Sequence, residues 1–214
     1  MDGSAHNFWI DSAAVYALSL DEVLASVWSL LQAAAKSRKE PFHQVTMATL
    51  APDGAPSARV LTFRGIEPER RRFRVHSDRR HGVVQEIQAD PRVCVMFYDP
   101  ARKLQYRFHG RARIHTNDAL ADCAWDRTRL FSRRCYLAPE PPGAPSPLPT
   151  SGLPPAFETR NPEAEESEAG RANFAVITAV ADRLDWLYLA GKGQRRAQFT
   201  WDAAGGVAAT WLVP

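Results

Sequence analysis

Residues 45–64 read VTMATLAPDGAPSARVLTFR. Branched and apolar residues alternate with small or polar ones on either side of Pro52-Asp53-Gly54, a trio suited to a tight chain reversal. The stretch therefore predicts two antiparallel strands, Val45 to Leu50 and Ser57 to Arg64, joined as a hairpin. The same pattern extends outward from it. A strand is expected at Arg72 to His76 after the turn-forming segment Gly65 to Arg70. Two more follow at Arg92 to Tyr98 and Gln105 to Ile114, with Asp99-Pro100 opening the turn between them. Near the C-terminal end the alternation resumes in Asn173 to Val180, Arg183 to Ala190, Gln198 to Trp201 and Val207 to Val213, with Gly205-Gly206 as a hairpin signal. Many short strands with few helices predict an α+β, mainly β fold: an antiparallel barrel, closed to protect its edges, with flanking helices.

Three helices are expected around this sheet. Ser19-Leu20-Asp21-Glu22 has the form of a capping box, and Val23, Leu24, Val27, Leu30, Leu31 and Ala34 recur at three- and four-residue steps, so a helix should cover about 19–36. A short one fits Gly82 to Ala89, stopped by Asp90-Pro91. Another fits Asp118 to Phe131, with Asn117 as its cap. Nine of the 16 prolines fall between Pro139 and Pro162, and the acidic run Glu163 to Glu168 follows. Residues 139–170 thus read as an extended, partly disordered loop or partner-wrapping segment inside a single domain spanning 1–214.

The chain has 214 residues, 45% hydrophobic and 24% charged, which excludes a fibre, a peptide hormone or a wholly disordered chain. Cys94, Cys123 and Cys135 are odd in number and lack ligand spacing, so neither a disulfide framework nor a structural zinc is expected, and no metal. No run approaches the ~20 apolar residues of a membrane span, and a cytoplasmic location is expected. The net charge of +3 is too small to argue for nucleic acid, and the short Arg70-Arg71-Arg72 run lacks interleaved aromatics. No serine sits in a nucleophile elbow.

Charge is nevertheless concentrated. Residues 59–113 hold 14 basic and six acidic side chains, a balance of +8 that leaves −5 for the rest. Arg59 and Arg64, five apart, point to opposite faces of a regular strand, and an arginine directed into a small barrel needs an anion or a buried carboxylate. Each is otherwise an ordinary surface arginine. The segment His76-Ser77-Asp78-Arg79-Arg80 ends a strand just before the Gly82 helix start, where a phosphate would be favoured; alternatively, Ser77 or Asp78 simply caps that helix. Gln105 offers an amide to a ring edge or phosphate, or faces water.

Taken in order, the stretch 46–60, Thr62-Phe63-Arg64-Gly65, His76-Ser77-Asp78-Arg79-Arg80, Ala89-Asp90-Pro91-Arg92, Leu104-Gln105-Tyr106-Arg107-Phe108-His109-Gly110, Asn173-Phe174, Leu184-Asp185-Trp186, Gln194-Arg195-Arg196 and Trp211-Leu212-Val213-Pro214 resemble the pyridoxamine 5′-phosphate oxidase superfamily of FMN-binding split β-barrels, most closely its Alr4036-like branch. The resemblance spans roughly residue 25 to the C-terminal end. It implies a homodimer with two FMN sites at the subunit interface and a small-molecule substrate, with no nucleic acid or membrane partner. By position it implies FMN contacts from Arg59 to the phosphate, from Val60, Leu61 and Thr62 on the same strand, and from Arg64 near the ring. His76, Ser77 and Gln105 would contact flavin or phosphate, Arg79 or Arg80 would support the phosphate from the turn, and Trp186 and Arg196 would come from the partner chain. The core reading of Trp186 stays open. Many members place basic residues where this chain has Gly82 and Val83, and the true oxidases carry an Arg-x-His pattern where this chain has Lys192 and Gln194.

The expected function is that of an FMN flavoprotein, an oxidoreductase moving hydride through flavin N5 on an unknown substrate. No catalytic side chain is assigned, although His76 and His109 are candidate proton carriers. The alternative is a non-catalytic FMN or haem binding protein on the same barrel.

Overall fold

The hairpin at residues 45–64 seeds the sheet in the computed structural model, which describes residues 15–214. Strand β1 (Gln44–Leu50) lies antiparallel to β2 (Pro56–Glu67) with Met47 opposite Arg59. The further strands are β3 (Arg72–Asp78), β4 (Arg92–Asp99), β5 (Leu104–His115), β6 (Phe174–Tyr188), β7 (Arg195–Trp201) and β8 (Val207–Leu212). They form one antiparallel sheet in the order β3-β2-β1-β4-β5-β6-β7-β8, and β3 also pairs with β6. That last pairing closes β1 to β6 into a six-stranded barrel, in which residues 56–62 of β2 stay without a partner on the β3 side. Strands β7 and β8 continue the sheet beyond the closed ring.

Alternation sets the inner wall. Val45 and Met47 of β1 point inward with Phe63, Phe73, Phe97 and Phe108, all at or near full burial. The four phenylalanines meet in the middle, Phe73 and Phe108 with ring centroids 4.5 Å apart and Phe63 edge-on to Phe97 at 5.1 Å. Helix α1 (Leu20–Lys36) buries Val23, Val27, Leu30, Leu31 and Ala34 against this core, and Ser19 and Glu22 form the expected capping box.

Several expected boundaries change. The two strands expected at Asn173 to Val180 and Arg183 to Ala190 are one strand, β6. Its first half pairs with β3 and its second half with β7, while β5 runs alongside both. His109 faces Arg183 and Gly110 faces Ala181, so Asp182 is an extra, unpaired residue, a bulge that bends the strand instead of ending it. A Cβ on Gly110 would stand 2.0 Å from the carbonyl oxygen of Val180, so only glycine permits that crossing.

Helix α2 (Gly82–Ala89) has the expected span, but its cap is His81, whose Nδ1 accepts from the Val83 amide, and neither Ser77 nor Asp78. The helix expected to Phe131 ends early. Helix α3 (Ala119–Asp126) is capped by Asp118 instead of Asn117, and after it Thr128 turns its hydroxyl back to the Ala124 carbonyl. A separate turn, α4 (Leu130–Arg133), follows. Residues 139–170 form an irregular, largely exposed excursion, yet they contain a 3₁₀ turn at Pro155–Phe157 and the short helix α5 (Ala164–Ser167). Trp125, Tyr136, Phe174 and Val176 build a second small core that seats α3 on the outside of β6.

Candidate functional site

Arg64, Arg74 and His76 lie on the outer faces of β2 and β3, where α3, α4 and the end of α1 roof them over. Phe63, Val75 and Ser77, their neighbours in sequence, are buried, as alternation requires. A register shift between Phe63 and Gly65 leaves Arg64 without a paired residue on β3. Gly65 leaves room for Arg74: a Cβ there would come 3.2 Å from Arg74 Nη2, which donates to the Arg64 carbonyl at 3.4 Å. The result is a cavity of about 520 Å³ whose wall also carries Lys36, Arg38, Lys39, His43, Arg127 and Arg129 and no carboxylate.

Four polar atoms lining it are unpaired. Nε of Arg64, Nε of Arg74 and both ring nitrogens of His76 are buried without a hydrogen-bond partner among the described residues. Burial, then the Arg64 and Arg74 charges, pushes His76 down to about 3, so the ring is neutral at physiological pH. Its face meets Phe174 edge-on at 4.9 Å. Burial also draws the Arg64 guanidinium below its ordinary value. Such an arrangement attracts an oxyanion, because every unpaired donor there favours negative charge.

The cavity opens along β2. A second hollow of about 540 Å³ shares Arg38, Lys39, His43, Arg64 and Ser132 with it and reaches Gln44 and Thr62. A shallower one continues through Gln44 to Thr46, Val60, Met96 and Tyr98. Strand β3 pairs with β2 only at residues 63–67, so residues 56–62 have no strand partner on that side. Leu61 packs inward against the core, while Val60, at 62% exposure, and Tyr98 stand out from the barrel surface.

Arg59 behaves differently. It shares the inner side with Met47 and donates to Glu86 of α2 at 2.5 Å, to Thr49 at 2.5 Å, to Ser57 at 2.5 Å and to the Met47 carbonyl at 3.2 Å. The inward arginine has met a carboxylate of its own chain. Gly82 adds no side chain there, and Val83 is wholly buried.

The remaining expected residues separate into three places. Ser77 is buried and donates weakly to the Asp78 carbonyl, while Arg80 is held by Asp78 and donates to the carbonyls of Ala138 and Pro139. Arg79 is exposed. On the outer barrel face, Gln105 lies opposite Tyr98 and Leu187, and Leu187 lies opposite Arg196. Arg196 and Arg107 both bind Asp185, at 2.5 and 2.8 Å. Trp186 does not join this face. It is wholly buried and packs edge-on against Trp211, and Leu187 occupies the outward position. Counting alternation from Ile177 and Ala179 puts residue 186 outside, but the Asp182 bulge inverts the faces beyond it. His109 is on the outer side, drawn below its ordinary value by burial and then by Arg183 and Arg107.

Reading the sequence alone missed Arg74, whose cue was its place two residues before His76 on one strand face. It also missed the basic residues of Lys36 to Lys39 and of Arg127 to Arg129, which no local pattern links. Among the described residues, no group of three His, Cys, Asp or Glu side chains could hold a metal ion, and no helix is long and apolar enough to cross a membrane.

With this geometry in hand, known proteins give the comparison. The sequence profile of the family described as "Pyridoxamine 5′-phosphate oxidase" matches residues 31–146. Pyridoxine/pyridoxamine 5′-phosphate oxidase 2 of Arabidopsis thaliana is 30% identical over 120 residues, covering 52% of this chain and 59% of that protein. A pyridoxine/pyridoxamine 5′-phosphate oxidase of Granulibacter bethesdensis is 31% identical over 100 residues, covering 44% and 46%. The chain thus spans about half the length of these curated relatives. Among solved structures, a pyridoxamine 5′-phosphate oxidase-related, FMN binding protein from Nostoc punctiforme PCC 73102 superposes with a TM-score of 0.72 at 23% identity, covering 92% of this chain and all of that one. PhzG from Burkholderia lata 383, solved with tetrahydrophenazine-1-carboxylic acid, superposes with a TM-score of 0.63 at 16% identity, covering 96% of each chain. Both share the barrel fold.

Proposed function

The chain belongs to the pyridoxamine 5′-phosphate oxidase family, and from that premise we propose that it is an FMN-binding flavoprotein, an oxidoreductase acting on a small molecule, with its sites between two copies of the chain. The observation that carries this reading is the cationic cavity opening onto the strand segment of β2 that lacks a second strand partner. The residues present fit a phosphate-bearing flavin, since buried guanidinium nitrogens stand without partners and no carboxylate lines the cavity to compete for them. Bound FMN would supply hydride acceptance and donation at N5.

The chain's own residues would bind and orient. Val60, Thr62 and Gln44 would flank the ligand along β2 and β1, and Gln105, Leu187 and Arg196 lie on the outer face that the second copy would meet. Exposed Val60 and Tyr98 support burial of that face. A neutral His76 would donate or accept one proton in a hydrogen bond without adding charge.

The test is the absorbance spectrum of purified protein with and without added FMN, followed by NAD(P)H-dependent bleaching. A flavin spectrum that bleaches supports the oxidoreductase. A bound flavin that never bleaches with any donor favours a non-catalytic carrier, and protein that takes up no FMN refutes the reading.

A further inference from the structure

The roof of the cavity and the 139–170 excursion meet at one side chain. Arg133 is 7% exposed, and its guanidinium spans two separate stretches of chain. Towards the roof, Nε donates to the Thr128 carbonyl at 3.1 Å and Nη2 to the Trp125 carbonyl at 2.9 Å. Towards the returning end of the excursion, Nη1 donates to Ser167 Oγ at 3.1 Å and to Glu168 at 2.5 Å. Glu168 also accepts from the Trp125 indole at 3.1 Å, so the two stretches are joined twice. The cavity-lining residues Arg127, Thr128, Arg129 and Ser132 all lie between Trp125 and Arg133 in sequence. The other bonds of Thr128 stay within its own turn, to Ala124 and Trp125. The base of the excursion is fastened independently: Arg80 holds Ala138 and Pro139, Asn173 donates to the Tyr136 carbonyl at 2.9 Å, and Phe174 pairs with Asp78. Arg133 is therefore not needed to bring its ends together. Apolar groups of similar volume often replace a buried ion pair at no cost in stability, so folding alone gives no reason for a guanidinium here. What it adds is a rigid fork that fixes two carbonyls, a hydroxyl and a carboxylate in one geometry.

We propose that Arg133 is a positioning residue that ties the roof segment 126–132 to residues 164–168 of the excursion, so that opening of either stretch loosens the other. The excursion thereby acts as a strap. While Arg133 grips Ser167 and Glu168, the carbonyls of Trp125 and Thr128 are held, and with them the short stretch that carries Arg127 and Arg129 over the cavity. When that grip is released, the stretch keeps only its local turn bonds and the roof opens more often. Coupling of this kind is reciprocal: whatever steadies the roof must steady the strap by the same factor. The tie itself rests on these bonds alone, and only its use, keeping the roof over a bound anion, rests on the flavin reading above.

Hydrogen exchange of the full chain, read by mass spectrometry, tests this with Arg133→Met, Arg133→Lys and Ser167→Ala/Glu168→Gln, each checked for folding by circular dichroism. The double variant alters no residue of the roof. It should nevertheless speed exchange across residues 126–132 by about fivefold or more, as Arg133→Met should, while the barrel strands exchange at the native rate. Arg133→Lys, which keeps the charge and loses the fork, should fall between. If Arg133→Met does not fold, the double variant carries the test. Inorganic phosphate, added as a probe of the cavity, should slow exchange in 126–132 and, in the native chain but not in Arg133→Met, in 164–168 as well. If phosphate slows neither stretch in the native chain, the cavity takes no such anion and the flavin reading loses its support, while the variants alone decide the tie. Faster exchange confined to 164–170 in Ser167→Ala/Glu168→Gln overturns the proposal. So does phosphate protection of the native roof that never reaches 164–168.

Discussion

At Glu86, burial favours protonation, yet hydrogen bonds from Thr49 and Ser57 and the Arg59 charge outweigh it and hold the carboxyl below its ordinary value of 4.5. The unfolded chain therefore binds this proton more readily than the folded one. Glu86 contributes stability above pH 4.5 that is lost as pH falls through its folded value. Replacing Glu86 by Gln should flatten the acid limb of a urea-stability profile below pH 4.5. Arg59→Gln alone, which strands the carboxylate, should cost about 3 kcal/mol. His76 acts in the same direction over a different window. With its folded value near 3 against 6.5 in the unfolded chain, the unfolded state takes up the proton first, and stability should fall as pH drops from 6.5 toward 3. His76→Gln should remove that slope while leaving the Glu86 contribution in place. The sequence made Arg59 and Arg64 visible as a pair on opposite strand faces. It could not say which would find a carboxylate, because Glu86 arrives from a helix beyond the next strand.

At the level of elements, what the sequence revealed followed from local chemistry. The Ser19 capping box, the Asp53-Gly54 reversal and the 82–89 helix carry their cues within a few residues, and all three formed. The failures are tertiary. Ala181-Asp182-Arg183 reads as a turn, but pairing with β5 on one side carries the strand through as a bulge. The same extra residue put Trp186 in the core. Gly110→Ala should lower the melting temperature on the order of 5 to 10 °C, since its Cβ would strike backbone that cannot swing aside. Around residues 139–170 the excursion is gripped at both ends. Arg80 holds Ala138 and Pro139, while Arg133 reaches Glu168 at 2.5 Å, donates to Ser167 and lies 4.5 Å over the Trp125 ring. Composition announced the prolines but not the distant arginines that fasten them. Arg133→Met should leave the barrel intact and speed protease cleavage within 139–170 several-fold, read by mass spectrometry of the first fragments.

For the whole molecule, the barrel could be expected from strand count and turn spacing, whereas the cavity could not, because its walls come from α1, β2, β3 and the segment after α3. The same distance separates the residues of the face proposed to meet a second copy. Light scattering should give about twice the 23.8 kDa of one chain. Val60→Glu with Tyr98→Glu, which places charge on that face, should give single chains and release flavin.

The β3–β6 seam also has a consequence for synthesis. The strand that seals the ring begins at Phe174, long after Asp78 has left the ribosome. At about 5 to 20 residues per second, the nascent half-barrel waits on the order of 5 to 20 s with the Arg72–Asp78 edge bare. Its soluble yield in cells should therefore depend on chaperones that shield that edge during elongation, and slower translation should lower the yield without any change in the finished protein.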